Sequence, residues 1–176
     1  QKVYHDIKDI DQNIDLVVVA IPARFVPQVI EVAAQKGAKA AVVISAGFKE
    51  IGNIKLEEEL RDVCRKNNIA LIGPNCLGVI NAQNKMNASF AALMPAVGNI
   101  AFMSQSGALC TAVLDYAEKM AIGFSKFVSI GNKADVNEVD LIKYLHTDPQ
   151  TKVVALYAEQ LSNANEVIDT LIELNK

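Results

Sequence analysis

The amino-acid sequence predicts an α/β fold made of two consecutive parallel-sheet domains. First, short apolar runs rich in β-branched residues alternate with segments of helical periodicity along most of the chain. Second, single helices between strands form right-handed βαβ units, which produce parallel sheets. Third, 51% of the 176 residues are hydrophobic but only 6% are aromatic, which suits small side chains packed between helices and sheets. A chain of this length can form one large domain or two small ones.

The first half of the chain contains three predicted strands, at residues 15–21, 39–45 and 69–72. Helices are predicted between them, at residues 27–36 and 56–67. Residues 79–98 interrupt this alternation, because they show no clean periodicity and are rich in asparagine. We therefore place a domain boundary near Pro95, which predicts one domain at residues 1–95 and a second at residues 96–176.

The second half of the chain resumes the alternation. Strands are predicted at residues 99–103, 124–130 and 153–158. Each is followed by a predicted helix: the first helix begins at residue 108, and the other two span residues 139–145 and 164–174. Ligands of open α/β sheets bind beyond the carboxyl ends of the strands. Small and polar residues follow the predicted strands at these ends: residues 22–23, 45–47, 73–75, 104–107, 131–132 and 159. Turn chemistry alone explains any one of them, but their recurrence predicts a ligand-binding edge.

The turn at residues 104–107 reads Ser-Gln-Ser-Gly and leads from the apolar run 99–103 into a helix. Such a turn points backbone N–H groups and the positive end of the helix dipole at the space above it. Gly107 lets an anion approach the backbone, and the two serines can cap the helix or donate to that anion. An ordinary capped helix explains the same residues, so both interpretations stay open at this point.

The composition argues against several classes of function. The net charge of -3 has its signs interspersed and gives no basic footprint for nucleic acid. No apolar run approaches the ~18 residues of a membrane-spanning helix. The three cysteines, at positions 64, 76 and 110, contain no CxxC pair, which argues against a disulfide framework and a zinc site and favours a reducing cytoplasm. The acidic residues at 135–140 are better explained by a capped helix start than by a metal, so no metal site is predicted.

Five motifs together are similar to those of a known family. They are VAIP at residues 19–22, VISAGF at 43–48, IGPNCLGVIN at 72–81, SQSG at 104–107 and AE at 158–159. In this order they resemble the α-subunit of nucleoside-diphosphate-forming acyl-CoA synthetases, most of all the ADP-forming acetyl-CoA synthetases. The resemblance implies a Rossmann-like CoA-binding domain followed by a flavodoxin-like ligase domain. It also implies conversion of a small carboxylic acid, CoA and ATP into acyl-CoA, ADP and phosphate, through an acyl phosphate and a phosphorylated histidine.

The resemblance assigns roles to the motif residues. CoA would be held by Pro22, Ala23, Ile44, Ser45 and Ala46, with Asn75 and Cys76 near its thiol end. The phosphoryl group would be bound by Ser104, Gln105, Ser106 and Gly107. Glu159 would hydrogen-bond the histidine ring and set its tautomer. ATP, ADP and Mg²⁺ would bind to an ATP-grasp β-subunit or domain, so an oligomer is expected.

Some of these residues have plain structural alternatives. A free cysteine is most often a small buried hydrophobe, so the place of Cys76 beside Asn75 implies no nucleophilic role. Glu159 closes an apolar run, where a carboxylate is costly to desolvate unless it is paired, and this favours a functional role. His5 lies in a polar lead-in and His146 at a helix end, so neither fits the catalytic histidine.

Two features of the family have no counterpart in this sequence. The glycine-rich unit that cradles the CoA phosphates is not found before Val3, and the phosphorylated histidine is expected beyond Lys176. We therefore expect an incomplete CoA-binding domain and a piece of a subunit that is not competent alone. A regulatory CoA-binding module fused to a protein acetyltransferase is one alternative, and a succinyl-CoA synthetase α-subunit is another. The pattern of succinyl-CoA synthetases has Thr-Glu where this chain has Ser45-Ala46, and a tyrosine soon after SxSG where this chain has Cys110-Thr111-Ala112. Both differences point away from succinate. The acid and the nucleotide are not predicted.

Overall fold

The computed structural model describes residues 2–174 of the chain. Its strands are β1 (Leu16–Val19), β2 (Ala40–Val43), β3 (Ala70–Ile72), β4 (Gly78–Asn81), β5 (Met86–Ser89), β6 (Val97–Ser104), β7 (Phe124–Ser129) and β8 (Val153–Tyr157). Its α-helices are α1 (Val26–Gln35), α2 (Ile54–Lys66), α3 (Gly107–Lys119), α4 (Glu138–Thr147) and α5 (Ala164–Leu174). Within residues 2–174, every helix is too short or too polar to cross a lipid bilayer.

The first sheet contains β1, β2 and β3 in that order, and both neighbouring pairs are parallel. Its core side chains come from the sheet and from both helices that connect its strands: Val43, Leu71, Ile30, Ala33 and Leu60 are almost completely buried. The sequence predicted these strands and helices, and the structure confirms them. The sheet is therefore the product of two βαβ units, as the alternation of apolar runs indicates.

The second sheet has five strands in the order β5-β4-β7-β6-β8. Strands β7, β6 and β8 run parallel, as predicted, with α3 on one face and α4 and α5 on the other. Phe127 and Val128 are neighbours in β7 but belong to different hydrophobic clusters, because successive side chains of a strand point to opposite faces. The predicted doubly wound arrangement is confirmed here.

The segment at residues 79–98 differs from the prediction. It contains most of β4 and all of β5, and β4 pairs antiparallel with both β5 and β7, so the second sheet is mixed rather than parallel throughout. These strands have four residues each and contain Gly, Asn and Ser, so they lack the apolar signal that marks the other strands. The chain passes from the first sheet to the second between β3 and β4, which is earlier in the sequence than the boundary expected near Pro95.

The carboxyl ends of the two sheets meet through the loop that joins β7 to α4. Backbone N–H groups of this loop donate to carbonyl groups at the end of β3: Asn132 to Pro74 at 2.9 Å, Ala134 to Gly73 at 3.1 Å and Val136 to Leu71 at 3.1 Å. Gly131 makes this approach possible, since a Cβ at this position would collide with the Pro74 carbonyl oxygen. The polar residues that follow the strands of both sheets therefore face a common cleft.

Candidate functional site

The cleft between the two sheets has a volume of about 850 Å³. Most of the predicted site residues line it. The first sheet contributes Ile44, Ala46, Asn75 and Cys76, and the second contributes Gln105, Ser106, Gly107 and Glu159. The predicted ligand-binding edge is therefore a single concave surface that both halves of the chain build.

Two predicted site residues, Ser45 and Ser104, do not line the cleft. Ser104 is completely buried, and its hydroxyl accepts a hydrogen bond from the Ser106 N–H and donates one to the Ser106 carbonyl, both at 3.0 Å. The hydroxyl of Ser45 is also buried and accepts from the Ile21 N–H at 3.0 Å. The Ser104 hydroxyl stabilises its own turn, and the Ser45 hydroxyl connects the turn after β2 to the end of β1, so the structure differs from the expectation that these hydroxyl groups face a ligand.

Pro22 and Ala23 also lie outside the cleft lining. They follow β1, where Ala23 begins a short 3₁₀ turn that ends at Phe25. Pro22 is exposed. Ala23 lies against the turn after β2, because a Cβ at Gly47 would be 3.1 Å from the Ala23 Cβ. Ala23 therefore lies beside the turn after β2 but is not part of the cleft lining.

The turn at residues 104–107 ends in a helix N-terminus that faces the cleft. Ser106 is the N-cap of α3, and its side chain accepts a hydrogen bond from the Leu109 N–H at 3.3 Å. Among residues 2–174, no group accepts a hydrogen bond from the N–H of Gly107 or Ala108. A Cβ added to Gly107 would meet no heavy atom within 4 Å. The sequence left capping and anion binding open. The structure shows the cap and, next to it in the cleft lining, two backbone donors without an acceptor among residues 2–174.

Gln105 connects this turn to the loop that carries Glu159. Its side-chain oxygen accepts hydrogen bonds from the N–H groups of Glu159 at 3.1 Å and Gln160 at 3.2 Å. Its own N–H donates to the Tyr157 carbonyl at 3.0 Å. Glu159 itself is exposed at the cleft, two residues after the end of β8. The expectation that its carboxylate is desolvated at a strand end is therefore wrong, and its placement depends on the loop that holds it.

Asn132 lines the cleft as part of the predicted ligand-binding edge, although the sequence assigned it no role of its own. Its side-chain amide donates to Glu50 Oε2 at 2.6 Å and to Glu57 Oε2 at 2.8 Å, and its side-chain oxygen accepts from Asn75 Nδ2 at 3.2 Å. It thereby connects the second sheet to two carboxylates and an amide of the first. Glu57 is buried, although its Glu-Glu-Glu run is typical of a solvated helix start. The only sequence signal for Asn132 was its position directly after a strand.

Glu50 supplies a carboxylate to the turn after β2. Its Oε1 accepts hydrogen bonds from the N–H groups of Gly47 and Phe48, the second at 3.1 Å. Burial alone would raise the pKa of Glu50, but the hydrogen bonds from Gly47, Asn132 and Phe48 outweigh burial and hold the pKa below its usual value. The carboxylate is consequently ionised at neutral pH and neutralises the N–H groups of this turn.

Cys76 lies in the wall of the cleft as a neutral thiol. It is buried, its Sγ lies 3.3 Å from the Val43 carbonyl oxygen, and burial raises its pKa to about 12. Since the thiolate is the nucleophile, this cysteine has no nucleophilic chemistry at neutral pH. In the part of the chain that the structure describes, no cluster of three or more acidic, histidine or cysteine side chains could hold a metal ion.

The acidic residues at 135–140 have separate structural roles. Asn137 is the N-cap of α4 and forms a capping box with Asp140, which agrees with the predicted helix start. Glu138 is instead completely buried and pairs with Lys133, whose Nζ lies 3.1 Å from its Oε2. His146 lines a separate apolar pocket of about 380 Å³ between α4, β8 and α5. His146 therefore lies outside the cleft, as expected for a histidine that is not catalytic.

Comparisons with known proteins give one consistent result. Residues 1–82 match the family described as CoA binding domain, and residues 97–176 match the family described as succinyl-CoA ligase like flavodoxin domain. The chain is 47% identical over 162 residues to an ADP-forming acetate–CoA ligase of Methanocaldococcus jannaschii, covering 92% of this chain and 23% of that protein. It is 38% identical over 177 residues to the α-subunit of ADP-forming acetate–CoA ligase II of Pyrococcus furiosus, covering 99% of this chain and 38% of that subunit.

A solved structure agrees with these matches. The acetyl-coenzyme A synthetase 1 of Ca. Korarchaeum cryptofilum, in complex with phosphate and ADP, superposes with a TM-score of 0.94 at 38% identity, covering 99% of this chain and 38% of that chain. The chain thus spans 23% to 38% of the length of these relatives. Because both domains match in the order that the motifs predict, the chain belongs to the family of nucleoside-diphosphate-forming acyl-CoA synthetases, of which it contains the CoA-binding and the flavodoxin-like ligase domains.

Proposed function

We propose that this chain forms the CoA-binding and phosphoryl-transfer part of an ADP-forming acyl-CoA synthetase that acts on acetate or a similar short acid. The reaction converts the acid, CoA and ATP into acyl-CoA, ADP and phosphate. The observation that carries the proposal is the common cleft, in which strand-end residues of the first sheet face the open N–H groups of Gly107 and Ala108. The two ends of such a cleft can hold the CoA thiol and a phosphoryl group close to each other.

The first-sheet side of the cleft suits the thiol end of CoA. Ile44 and Ala46 give a wall of small and apolar side chains, and Asn75 presents an amide that is oriented by its hydrogen bond to Asn132. The protonated Cys76 stays neutral, so it does not repel an approaching thiolate. Since Glu50 already neutralises the N–H groups of the turn after β2, CoA would contact this turn through its uncharged part rather than through a phosphate.

The second-sheet side of the cleft suits a phosphoryl group. The N–H groups of Gly107 and Ala108 are fixed donors at the positive end of a 13-residue helix, the arrangement that favours phosphate. Glu159 would hydrogen-bond the ring of a phosphorylated histidine from another part of the protein and set its tautomer. ATP, ADP and Mg²⁺ would be held by a partner subunit or domain of the ATP-grasp type, and the reaction would take place in the cytoplasm.

The test is a reconstitution of the reaction from a longer subunit that contains this chain and the phosphorylated histidine, together with an ATP-grasp partner, in which acetyl-CoA and ADP are measured with each substrate omitted in turn. Glu159→Gln should keep the fold but slow phosphoenzyme formation roughly tenfold to a hundredfold, the value of a charge-assisted hydrogen bond. Glu166→Gln, in the exposed first turn of α5, is the matched control and should have no effect. Wild-type rates for Glu159→Gln would contradict the proposed role of this carboxylate.

Titration of this chain with inorganic phosphate and with CoA separates the synthetase from a regulatory CoA-binding module. A synthetase needs a phosphoryl site, so the amide signals of Gly107 and Ala108 should shift with phosphate. A module that only senses CoA needs no such site. Signals at Ala46 and Asn75 that respond to CoA, with no response to phosphate at Gly107, would favour the regulatory module.

A further inference from the structure

The loop that carries Glu159 is held from a second side, away from Gln105. Lys133 donates from Nζ to the Gln160 carbonyl and forms an ion pair with Glu138. The other contacts come from Ser162, whose N–H donates to Glu138 Oε1 and whose hydroxyl donates to Glu138 Oε2 at 3.2 Å. We call Lys133, Glu138 and Ser162 the loop clasp. Together with Gln105, it fixes the backbone on both sides of Glu159.

The loop clasp is buried although it is charged. The side chain of Glu138 is 0% exposed and that of Lys133 is 7% exposed. Burial would raise the pKa of Glu138, but the Ser162 N–H and Lys133 outweigh it and keep the pKa below its usual value. A buried ion pair is weak evidence for stability, because its attraction hardly exceeds the cost of desolvation. Glu138 is also not required to start α4, since Asn137 and Asp140 form the capping box.

We infer that Lys133 and Glu138 are positioning residues that hold Glu159 at the cleft, an inference that rests on the proposed function for its catalytic consequence. The Glu159 side chain is exposed and forms no hydrogen bond or ion pair with any group among residues 2–174, so its position depends on the backbone of residues 159–162. Apart from the ion pair between Lys133 and Glu138, each contact of the loop clasp ends on this backbone or on the Ser162 hydroxyl. The β7–α4 loop, which also carries Asn132, is thereby connected to the carboxylate that faces the phosphoryl site.

The same domain contains a matched control. Lys126 and Asp148 form a second buried ion pair, with side chains 8% and 9% exposed and an Nζ–Oδ2 distance of 2.7 Å. Their further partners are Gln150 and Thr151, which lie outside residues 159–162. Breaking either pair leaves a buried charge without its partner, and only the Lys133–Glu138 pair touches the Glu159 loop.

The experiment compares Glu138→Gln and Lys133→Met with Asp148→Asn by hydrogen exchange of the Glu159 and Gln160 amides. Gln keeps the size of Glu138 but directs an NH₂ group at Lys133. We expect exchange at both amides to accelerate about tenfold in Glu138→Gln and Lys133→Met and to be unchanged in Asp148→Asn, relative to amides of the core. Equal acceleration in Asp148→Asn, or no acceleration in Glu138→Gln, would overturn the inference.

A double variant covers the case in which a single substitution prevents folding. Lys133→Met with Glu138→Gln leaves no unpaired buried charge and should fold, yet exchange at Glu159 should still be fast because the contact with the Gln160 carbonyl is lost. In the assembled synthetase, Glu138→Gln should lower kcat about tenfold with the KM for CoA unchanged; an unchanged kcat would overturn the catalytic consequence. An assembled synthetase with the wild-type chain but without ligase activity would refute the proposed function. The exchange measurements would still decide the positioning role.

Discussion

Two turns at the carboxyl ends of strands, one in each sheet, differ in what their backbone N–H groups bind. In the β2 turn, residues 45–48, the N–H groups of Gly47 and Phe48 donate to the carboxylate of Glu50. In the β6 turn, residues 104–107, the N–H of Gly107 and that of the following Ala108 have no acceptor among residues 2–174. The chain supplies its own anion to the first turn and leaves the second open to an anion from solution.

This difference can be traced to the sequence. Glu50 follows Gly47 by three residues, a separation at which a side chain reaches back to the turn. The first turn of α3 contains no acidic residue, although an acidic side chain there would be stabilised by the helix dipole. The open N–H groups of α3 therefore have no carboxylate acceptor among residues 2–174. Such a gap is what a phosphate site requires, and four predictions test whether the two turns differ in this way.

The largest effect is expected from Gly107→Val. A branched side chain at the first position of α3 would occupy the open space beside both N–H donors, and phosphate affinity should fall at least about 100-fold, which corresponds to the loss of two charge-assisted hydrogen bonds. Stability should hardly change, because no heavy atom lies within 4 Å of the new Cβ. Phosphate titration by NMR and thermal unfolding measure the two effects. Ala112→Val, at an exposed position of the same helix, controls for the branched residue and should bind phosphate normally.

Glu50→Ala should convert the β2 turn into an open turn. Loss of the carboxylate leaves the N–H groups of Gly47 and Phe48 without their acceptor. The free energy of unfolding should fall by about 1 kcal/mol. Their amide signals should then respond to phosphate, as those of Gly107 and Ala108 do in the wild type. Glu59→Ala, on the exposed side of α2, is the control. Unchanged stability together with no phosphate response at Gly47 would show that Glu50 does not act as the internal anion.

The alternation of strands and helices and the polar rim at the strand ends could be predicted from the sequence. Both are local signals: apolar periodicity marks the core-facing side of each element, and turn residues mark its end. The β6 turn could be identified because Ser106 and Gly107 stand between an apolar strand and a helix. Strands β4 and β5 could not be identified, because their pairing with β7 and with each other comes from tertiary contacts rather than from an apolar run.

The polar contacts of the cleft could not be predicted for a similar reason. Asn132 meets Glu50 across 82 positions of sequence, and Lys133 meets the Gln160 carbonyl across 27. No periodicity connects residues in separate loops. Glu138, one of the acidic residues assigned to a capped helix start, is completely buried, and Glu57 is buried as well. Ser45 and Ser104 are predicted as site residues from their motifs, but their hydroxyl groups bond to backbone groups instead: that of Ser104 within its own turn, and that of Ser45 at the end of β1.

Ser106→Ala should have a smaller effect than the first two substitutions. Replacing an N-cap serine by alanine costs about 1 kcal/mol of stability, whereas Ser106→Gly should cost only about a few tenths of a kcal/mol. Phosphate affinity should fall no more than about fivefold, because the backbone donors at Gly107 and Ala108 remain. Chemical denaturation and phosphate titration of both variants provide the measurements. A loss as large as that of Gly107→Val would mean that the hydroxyl, rather than the backbone, is the main phosphate ligand.

The smallest effect is a difference in pH dependence between the two turns. The pKa of Glu50 lies below its usual value of 4.5 in the folded protein, so its contribution to stability is complete above about pH 4.5 and is lost as the pH falls through the folded pKa. The amide signals of Gly47 and Phe48 should move in this acidic range, whereas those of Gly107 and Ala108 should move less, since the Ser106 cap does not titrate.

NMR spectra recorded from about pH 7 to about pH 3 would measure this difference, with Glu50→Gln as the variant in which the movement at Gly47 disappears. Glu138 and Asp148 also have lowered pKa values, so they add to acid unfolding in every variant. The amides are therefore compared within the same protein, at pH values above that at which unfolding begins. Equal movement at Gly47 and Gly107 would mean that a titrating carboxylate acts on both turns. The β6 turn would then not be the open one, and the contrast on which its assignment as the phosphoryl site depends would disappear.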